Sequence, residues 1–559
     1  MVPATVSQVV RRVTLTGVFF LACCAPAAAA PPVHGGSAVV AAPAPAWESL
    51  QRLQAYPRTL VELDRVRGPA AAASLKRAGG QLIAPPLQLW RLPSWSAQRV
   101  LPGLLSRGIV RSITPDVPLG AKPGGASGFF GYTDPLSSSE WWVSHVGADR
   151  WTAPGPGVPL TMIDSGVDLS HEEFATRPNT FPLNTMTYSG NEEELHGTAT
   201  ASVAAAPENG VGIVGIYPQA KLQLWDASPN AQLTVGDEIN GLFAARRTGP
   251  GVINLSLGGF DKIPIEEHAI ENVFGSGSLI VASAGNDREG GSSLSYPATF
   301  PHVLTIGATD EADRVTLFSS ASPALDLAAP GQDIPAAIPT IFNPAGYAAV
   351  DGTSFSAPLV SGAAAAVWTL RPTLTNTQLF EVMRRSARDT GKKGWDANTG
   401  YGILDLPAAL ARRAPAPDPQ EPNEDVYLVK PNGLTKTGHA PLTGQNRPRA
   451  SLAASLERRE DPEDVYRVWL PAKGRLVVTV RPNANANLEI WGRRTQTVFE
   501  RGKAAQRDLI GASAHAGRRY ERVIVAGRGV GQYVYVDVFL AKSVVQASYS
   551  LSIAPASGR

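Results

Sequence analysis

The middle of the chain is built from short apolar runs separated by longer stretches of helical spacing. The runs are "PLTMID" (159–164), "KLQLWDA" (221–227), "GVINLSLGG" (251–259), "SLIVASAG" (278–285) and "VLTIGATD" (303–310). Runs rich in Val, Ile and Leu that alternate with helices predict a parallel sheet covered on both faces. In such sheets, sites form beyond the carboxyl ends of the strands. Asp164, Asp226, Ser256 and Asn286 stand at or just past those ends. Upstream, residues 50–117 read differently. "RTLVELDRV" predicts a strand, "PAAAASLKRAGG" a helix closed by glycine, and "QLIAPPLQLWRLP" extended chain that folds as a hairpin. "SAQRVLPGLLSRG" predicts a helix despite Pro102, and "IVRSITPDVPL" a last strand. The order β-α-β-β-α-β is ferredoxin-like. Downstream, "VYRVWLP", "GRLVVTVRP", "ANLEIWG", "ERVIVAG", "QYVYVDVFLA" and "ASYSLSIAP" alternate β-branched and aromatic residues with polar ones. That alternation predicts an antiparallel β-sandwich.

The predicted organisation is therefore an α/β unit with a parallel sheet, between a small α+β unit and an all-β sandwich. Boundaries fall where composition changes: 1–30, 31–125, 126–412 and 413–559. A Pro/Ala/Gly-rich lead-in precedes the first unit, "GAKPGGASGFFG" follows it, and "RRAPAPDPQEPNED" opens the last. Residues 1–30 read as an export signal: Arg11 and Arg12, the apolar "VTLTGVFFLACC", then small residues suited to cleavage. Both cysteines, Cys23 and Cys24, lie inside that segment, so the mature chain is expected to carry no disulfide. Lipid attachment at Cys23 is the alternative. The 559 residues carry 50 Lys and Arg against 48 Asp and Glu, a net charge of +2, which argues against nucleic acid as a partner. No run after the signal is long and apolar enough to span a membrane.

The chemistry starts at "DGTSFSAP", residues 351–358. Ser354 sits where a tight turn enters an Ala-rich helix. It reads either as a helix cap or as a nucleophile in a site where helix amides favour negative charge. A nucleophile needs a base, an orienting acid and an oxyanion donor. "LTMID" ends an apolar run on Asp164, a carboxylate that requires a partner there. "LHGTATASVAAA" places His196 at the start of an Ala-rich helix, and "LIVASAGND" ends a strand on Asn286. Each alone has a plain structural explanation as a cap or a turn residue. All four at strand ends or helix starts of one α/β unit point to acyl transfer.

The motifs "DSG", "HGT" and "GTSFSAP", in the order Asp, His, Ser, resemble the subtilisin family of serine proteases over residues 135–412. The spacings 196 − 164 = 32 and 354 − 196 = 158 agree with this. The resemblance implies Asp164 as orienter, His196 as general base and then acid, Ser354 as nucleophile, and Asn286 as oxyanion donor. It further implies Ser256, Leu257 and Gly258 as a strand that pairs with extended substrate, Ser295 of "SYPATFP" at the pocket floor, and Glu194 beside a neighbouring subsite. "HEEF" and "ENGVGI" resemble a structural calcium site, with Glu173, Asn209 and the carbonyls of Pro207, Val211 and Ile213 as oxygen ligands. No cofactor is implied for the chemistry. Residues 50–117 resemble the family's inhibitory prodomain, and the tail resembles the pre-peptidase C-terminal sandwich of secreted bacterial proteases. The expected protein is a secreted, extracellular or periplasmic endopeptidase, made as a self-processed precursor and monomeric. It departs from the family at Ala199 and Thr200 after "HGT", and at Phe355 and Leu359 around the serine.

"GVGIVG" (210–215) matches a dinucleotide fingerprint, but it follows a helix and leads into a strand, the reverse of what that fingerprint needs. It is read as a turn. Two rival functions remain: an acid-active Ser-Glu-Asp carboxyl peptidase, against which "HGT" and Asn286 count, and a non-enzymatic scaffold.

Overall fold

The computed structural model describes residues 57–116, 134–187, 194–229, 232–500, 502–527 and 529–556. The export segment with Cys23 and Cys24, the Gly/Ser-rich linker after residue 116, and Glu192 and Glu193 lie outside these residues.

The first elements are β1 (Arg58–Leu63), α1 (Ala72–Arg77), β2 (Gln81–Ala84), β3 (Leu89–Pro93), α2 (Ser94–Leu105) and β4 (Val110–Pro115). The antiparallel sheet has the order β2-β3-β1-β4, the arrangement expected from the β-α-β-β-α-β sequence pattern.

The central region follows with β5 (Pro159–Asp164), β6 (Thr180–Pro182), α3 (Leu195–Ala205), β7 (Lys221–Asp226), α4 (Val235–Arg247), β8 (Val252–Leu255) and α5 (Pro264–Phe274). Then come β9 (Leu279–Ser283), β10 (Val303–Thr309), β11 (Leu325–Pro330), the β12 (Ile334–Ala337) and β13 (Tyr347–Val350) pair, α6 (Thr353–Leu370) and α7 (Asn376–Ser386). Seven strands form one parallel sheet, β11-β10-β9-β8-β5-β7-β6. Its two faces can be read from the period of two. Leu160, Met162, Val252, Leu279 and Val281 pack under α3 and α6. Ile163, Ile253, Leu255, Ile280 and Ala282 face α4 and α5 on the other side. The strand order reverses at β5, with β7 on one side and β8 on the other. Chains leaving β5 and β8 therefore diverge, and a crevice opens beyond their carboxyl ends.

The N-terminal sheet uses both of its faces too. Val61, Trp90 and Leu92 cover its own helices. Leu60, Leu87 and Leu89 belong to the apolar layer of α4 and α5. Polar contacts fix the docking. Asp116 accepts a 2.8 Å bond from the Gly236 amide in the first turn of α4, and Arg91 bridges Asp116 (2.8 Å) and Asp237 (3.0 Å). A carboxylate at a helix N-terminus meets free amides and the positive end of the dipole.

The tail contains β14 (Ala450–Glu457), β15 (Glu463–Leu470), β16 (Arg475–Pro482), β17 (Ala486–Trp491), β18 (Leu509–Ser513), β19 (Glu521–Ala526), β20 (Gln532–Leu540) and β21 (Gln546–Pro555). Two antiparallel sheets, β14-β21-β16-β19 and β15-β20-β17-β18, enclose a core of alternating residues such as Val478, Val480, Val536, Val538 and Leu551. This is the expected sandwich. Among the described residues, no helix is long and apolar enough to cross a membrane.

Candidate active site

Asp164 is the last residue of β5 and is 3% exposed. Its burial is offset by donors. The Ser165 amide (2.7 Å) and His196 Nδ1 (2.7 Å) meet Oδ1, and the Thr200 hydroxyl donates to Oδ2 (2.9 Å). His196 comes from the first turn of α3, which approaches β5 so closely that only glycine fits next in sequence. A Cβ on Gly197 would lie 1.6 Å from the Ser165 carbonyl oxygen. With Nδ1 on the carboxylate, His196 Nε2 is buried without a hydrogen-bond partner. Its ring centroid lies 5.6 Å from that of Phe355, the residue after Ser354.

Ser354 lies in the first turn of α6, a helix buried along nearly its whole length. Gly352 precedes it with φ 149°, a value that favours glycine. Pro358 stands four residues on and has no amide to donate, so the Ser354 carbonyl lacks its usual intrahelical bond. The Ser256 hydroxyl takes that place at 2.8 Å. Ser256 in turn accepts from the Asn254 side chain (2.9 Å), whose oxygen accepts from Ser361 on α6 (2.9 Å). A buried polar chain thus ties the end of β8 to the start of α6. The Ser354 hydroxyl lies 3.5 Å from the Ser256 carbonyl and makes no bond to His196 in this rotamer.

Asn286 follows β9. Its Oδ1 accepts from the Thr353 amide (3.0 Å) and hydroxyl (2.9 Å), which leaves Nδ2 directed away from Thr353. Nearby, Gly258, Gly285 and Ser295 converge. A Cβ on Gly258 would come within 2.7 Å of the Ser295 hydroxyl, and one on Gly285 within 3.3 Å of Ser295 Cβ. Gly259 pairs with Tyr296 as an isolated antiparallel bridge, and Leu257 is buried. The structure therefore brings Asp164 and His196 into contact, sets Ser256 beside Ser354, and places Gly258 with Ser295.

Two sequence expectations meet particular surroundings. Glu194, expected beside a subsite, is 2% exposed at the N-terminus of α3. Helix amides and dipole favour an acid there, and its charge is not presented to solvent. The calcium site is the second. Glu173 accepts from the Ile213 amide (2.9 Å), the Tyr347 hydroxyl (3.0 Å) and the Asn209 side chain (3.4 Å). The Asn209 oxygen accepts from the Val211 amide (3.0 Å). The loop containing Pro207, Val211 and Ile213 thus offers N–H groups to this carboxylate. Burial, reinforced by Asp134 and Glu172, pushes its pKa up to about 7. Glu173 and the Asn209 oxygen are thus engaged by protein donors in this arrangement. "GVGIVG" is indeed a turn between α3 and β7; a Cβ on Gly215 would meet the Ala205 amide at 2.4 Å. Sequence reasoning had passed over Asn254, Thr200 and Thr353. Thr200 stood out only as a departure from the family motif.

Comparison with known proteins decides the family. A model of the subtilase family matches residues 155–402. The chain is 32% identical over 260 residues to subtilisin of Bacillus pumilus, 46% of this chain and 91% of that one. It is 31% identical over 278 residues to subtilisin BL of Lederbergia lenta, 49% of this chain and 98% of that one. The chain belongs to the subtilase family. Subtilases are serine endopeptidases, and the family match spans every strand of the parallel sheet. With subtilisin E of Bacillus subtilis (strain 168) the identity is 32%, and the chain spans just under two thirds of that relative's length, 66%. In fold, this subtilase is similar to fervidolysin from Fervidobacterium pennivorans, a keratinolytic enzyme related to subtilisin. The TM-score is 0.56 at 17% identity, over 86% of this chain and 92% of that one.

Proposed function

We propose that the protein is a secreted serine endopeptidase in which Ser354 is the nucleophile, His196 the general base and acid, Asp164 its orienter and Asn286 an oxyanion donor. The observation that carries this is His196. Its Nδ1 is fixed on a buried carboxylate at 2.7 Å, and its Nε2 is left unpartnered beside the helix turn that holds Ser354. Rotation of the Ser354 side chain from the Ser256 carbonyl toward Nε2 sets up the attack. The Ser354 oxygen adds to the scissile carbonyl carbon, and its proton passes to Nε2. The new oxyanion is stabilised by the Ser354 amide and Asn286 Nδ2. Asp164 keeps Nδ1 protonated and balances the imidazolium charge. His196 then gives its proton to the leaving amine, the C–N bond breaks, and an acyl-Ser354 ester remains. Water repeats the sequence and frees the acid. Substrate is read as extended chain along Ser256, Leu257 and Gly258, with one side chain reaching toward Ser295.

Residues 1–30 are read as the export signal and 31–125 as a prodomain and linker that inhibit the unit at 126–412 until self-cleavage. Residues 413–559 form an accessory sandwich. The prodomain reading rests on the sheet seated across α4 and α5 and on the Asp116–Gly236 contact.

A serine-directed fluorophosphonate probe tests the assignment. Wild type should be labelled on Ser354, and Ser354→Ala should show neither labelling nor casein hydrolysis while keeping its circular dichroism. Near-wild-type hydrolysis by that variant excludes the serine mechanism. The same variant, expressed in a protease-free host, should remain an uncut precursor.

A further inference from the structure

One face of the tail sandwich has a composition that folding alone does not require. The outward positions of sheet β14-β21-β16-β19 follow the period of two. They carry Ser548, Ser550 and Ser552 on β21, Thr479 and Arg481 on β16, and Arg522 and Ile524 on β19. Across β14, β21, β16 and β19, the exposed positions include no Asp or Glu. At one end the face deepens into a concavity of about 490 Å³ lined by Arg481, Arg518, Arg519, Tyr520, Arg522 and His515. Among the described residues, none of these four arginines is ion-paired with a carboxylate in the structure. Arg481 stacks over the Tyr520 ring at 5.5 Å, just beyond the last β16–β19 pair (Val480 with Glu521), and Tyr520 is 54% exposed.

The acid between Tyr520 and Arg522 is turned inward. Glu521 is fully buried and spends its carboxylate on the loop that presents the arginines. It accepts from the His515 amide (2.8 Å), bonds His515 Nδ1 (2.9 Å) and accepts from the Ser513 hydroxyl. Its charge thus shapes the rim while the guanidiniums stay open. The chain as a whole is nearly neutral, so this is a local concentration of charge. Guanidinium forks match carboxylates in bidentate geometry. Rows of hydroxyls beside them supply further donors.

We infer that this face is an exosite that captures acidic segments of protein substrates. The inference rests on the endopeptidase reading for its choice of occupant. A protease whose cleft accepts extended polypeptide gains from a second grip on the same chain, because tethering raises the effective substrate concentration at the cleft. Attraction of this kind is strongest at low ionic strength.

The test uses the full chain with Ser354→Ala, so that binding is measured without cleavage, and dye-labelled peptides of about twelve Glu or twelve Gln residues. Anisotropy should show binding of the Glu peptide only, weakened at least about tenfold between about 20 and 300 mM salt as screening shortens from about 20 to 6 Å. Arg518→Gln/Arg519→Gln in the loop, and separately Arg481→Gln on the sheet, should each weaken it several-fold. In wild type, the ratio of kcat/KM for a reporter with a Glu tail over one with a Gln tail should exceed about three, and fall toward one in these variants. Equal binding of both peptides, or binding insensitive to all three arginines, overturns the exosite. So does preference by more than about tenfold for heparin or polyphosphate over the Glu peptide, which assigns the face to a non-peptide polyanion. Failure of wild type to cleave any reporter instead strikes the endopeptidase reading, since the binding arm does not depend on it.

Discussion

Thr200 shows how one side chain tunes a buried charge. Its hydroxyl donates to Asp164 Oδ2, the oxygen that His196 does not use. A hydrogen bond to an ionised group is worth about 1.5–3 kcal/mol, so this one is a sizeable share of the stabilisation of the Asp164 carboxylate. Thr200→Val keeps the shape and removes the donor. The Asp164 charge is then left more fully to the imidazolium. The acid limb of kcat/KM should move to higher pH, and the plateau should fall about three- to thirtyfold through loss of orientation. A variant with normal rate and an unmoved pH profile would show Thr200 to be packing alone. None of this was legible in the sequence, where Thr200 read only as an odd residue after "HGT". The positions of Asp164, His196 and Ser354 were legible because strand ends and helix starts are defined places in the pattern. The burial of Glu194 was not legible: it stands at the start of α3 and is 2% exposed, which its sequence neighbours do not announce. Glu173 was expected as a cation ligand because "HEEF" and "ENGVGI" resemble a structural calcium site. Its actual partners, the Ile213 amide and the Tyr347 hydroxyl, arrive from far along the chain.

At the level of elements, the continuous apolar runs located five of the seven strands of the parallel sheet, β5, β7, β8, β9 and β10, and the order of the N-terminal unit; β6 and β11 were not picked out. The reason is that both faces of each sheet are covered, and burial on both faces leaves a strong pattern. Exact approach distances are another matter. Gly197 is legible as a motif residue, yet the cause is the contact of α3 with the turn after β5. Gly197→Ala would set a methyl group 1.6 Å from the Ser165 oxygen and 2.5 Å from the Gly166 oxygen. Both neighbours are backbone, so α3 has to shift as a body. Overpacking of this kind costs about 1–3 kcal/mol or more. The expected outcome is a drop in Tm of at least about 2–4 °C per kcal/mol, together with lost activity in whatever protein folds. A variant that keeps its Tm and its activity would mean that α3 has room the structure does not show. Pro358 works through the same logic. Its missing amide frees the Ser354 carbonyl for Ser256 and so joins the first turn of α6 to the end of β8.

For the molecule as a whole, the contact between the parallel-sheet unit and the tail is where pH should act. His302, just before β10, lies 2.7 Å from Glu424 and 3.7 Å from Glu421 of the tail, and its ring packs against Phe274 at 4.5 Å. Glu460 accepts from the His302 amide (3.2 Å), and Asp418 is held by Ser455 (2.6 Å). Arg384 reaches Asp326 (3.2 Å) and Glu457 (3.5 Å), and Asp461 and Asp464 complete the acid-rich wall. Burial, with its carboxylate neighbours, pushes Glu421 up to about 8 and Asp418 to about 6. Burial and the nearby Asp326 push Glu460 to about 8. Burial works against the charge of His302, but Glu424 and Glu421 outweigh it and hold it well above its ordinary range. Each of these groups keeps its proton longer when folded than when unfolded, where a glutamate titrates near about 4.3. Their contribution is full below the unfolded values and is lost as pH rises through the folded ones. The junction should therefore be firmest in acid, weaken progressively through neutral pH, and have lost this contribution above about pH 8. Calorimetry of the full chain carrying Ser354→Ala, which cannot digest itself, should show Tm falling from pH 6 to pH 9. Glu421→Gln removes one of the titrating groups and keeps its shape, so the same scan should fall less steeply. A Tm that is flat or rises over this range, or a slope unchanged by Glu421→Gln, would show that these acids are not what ties the tail to the enzyme.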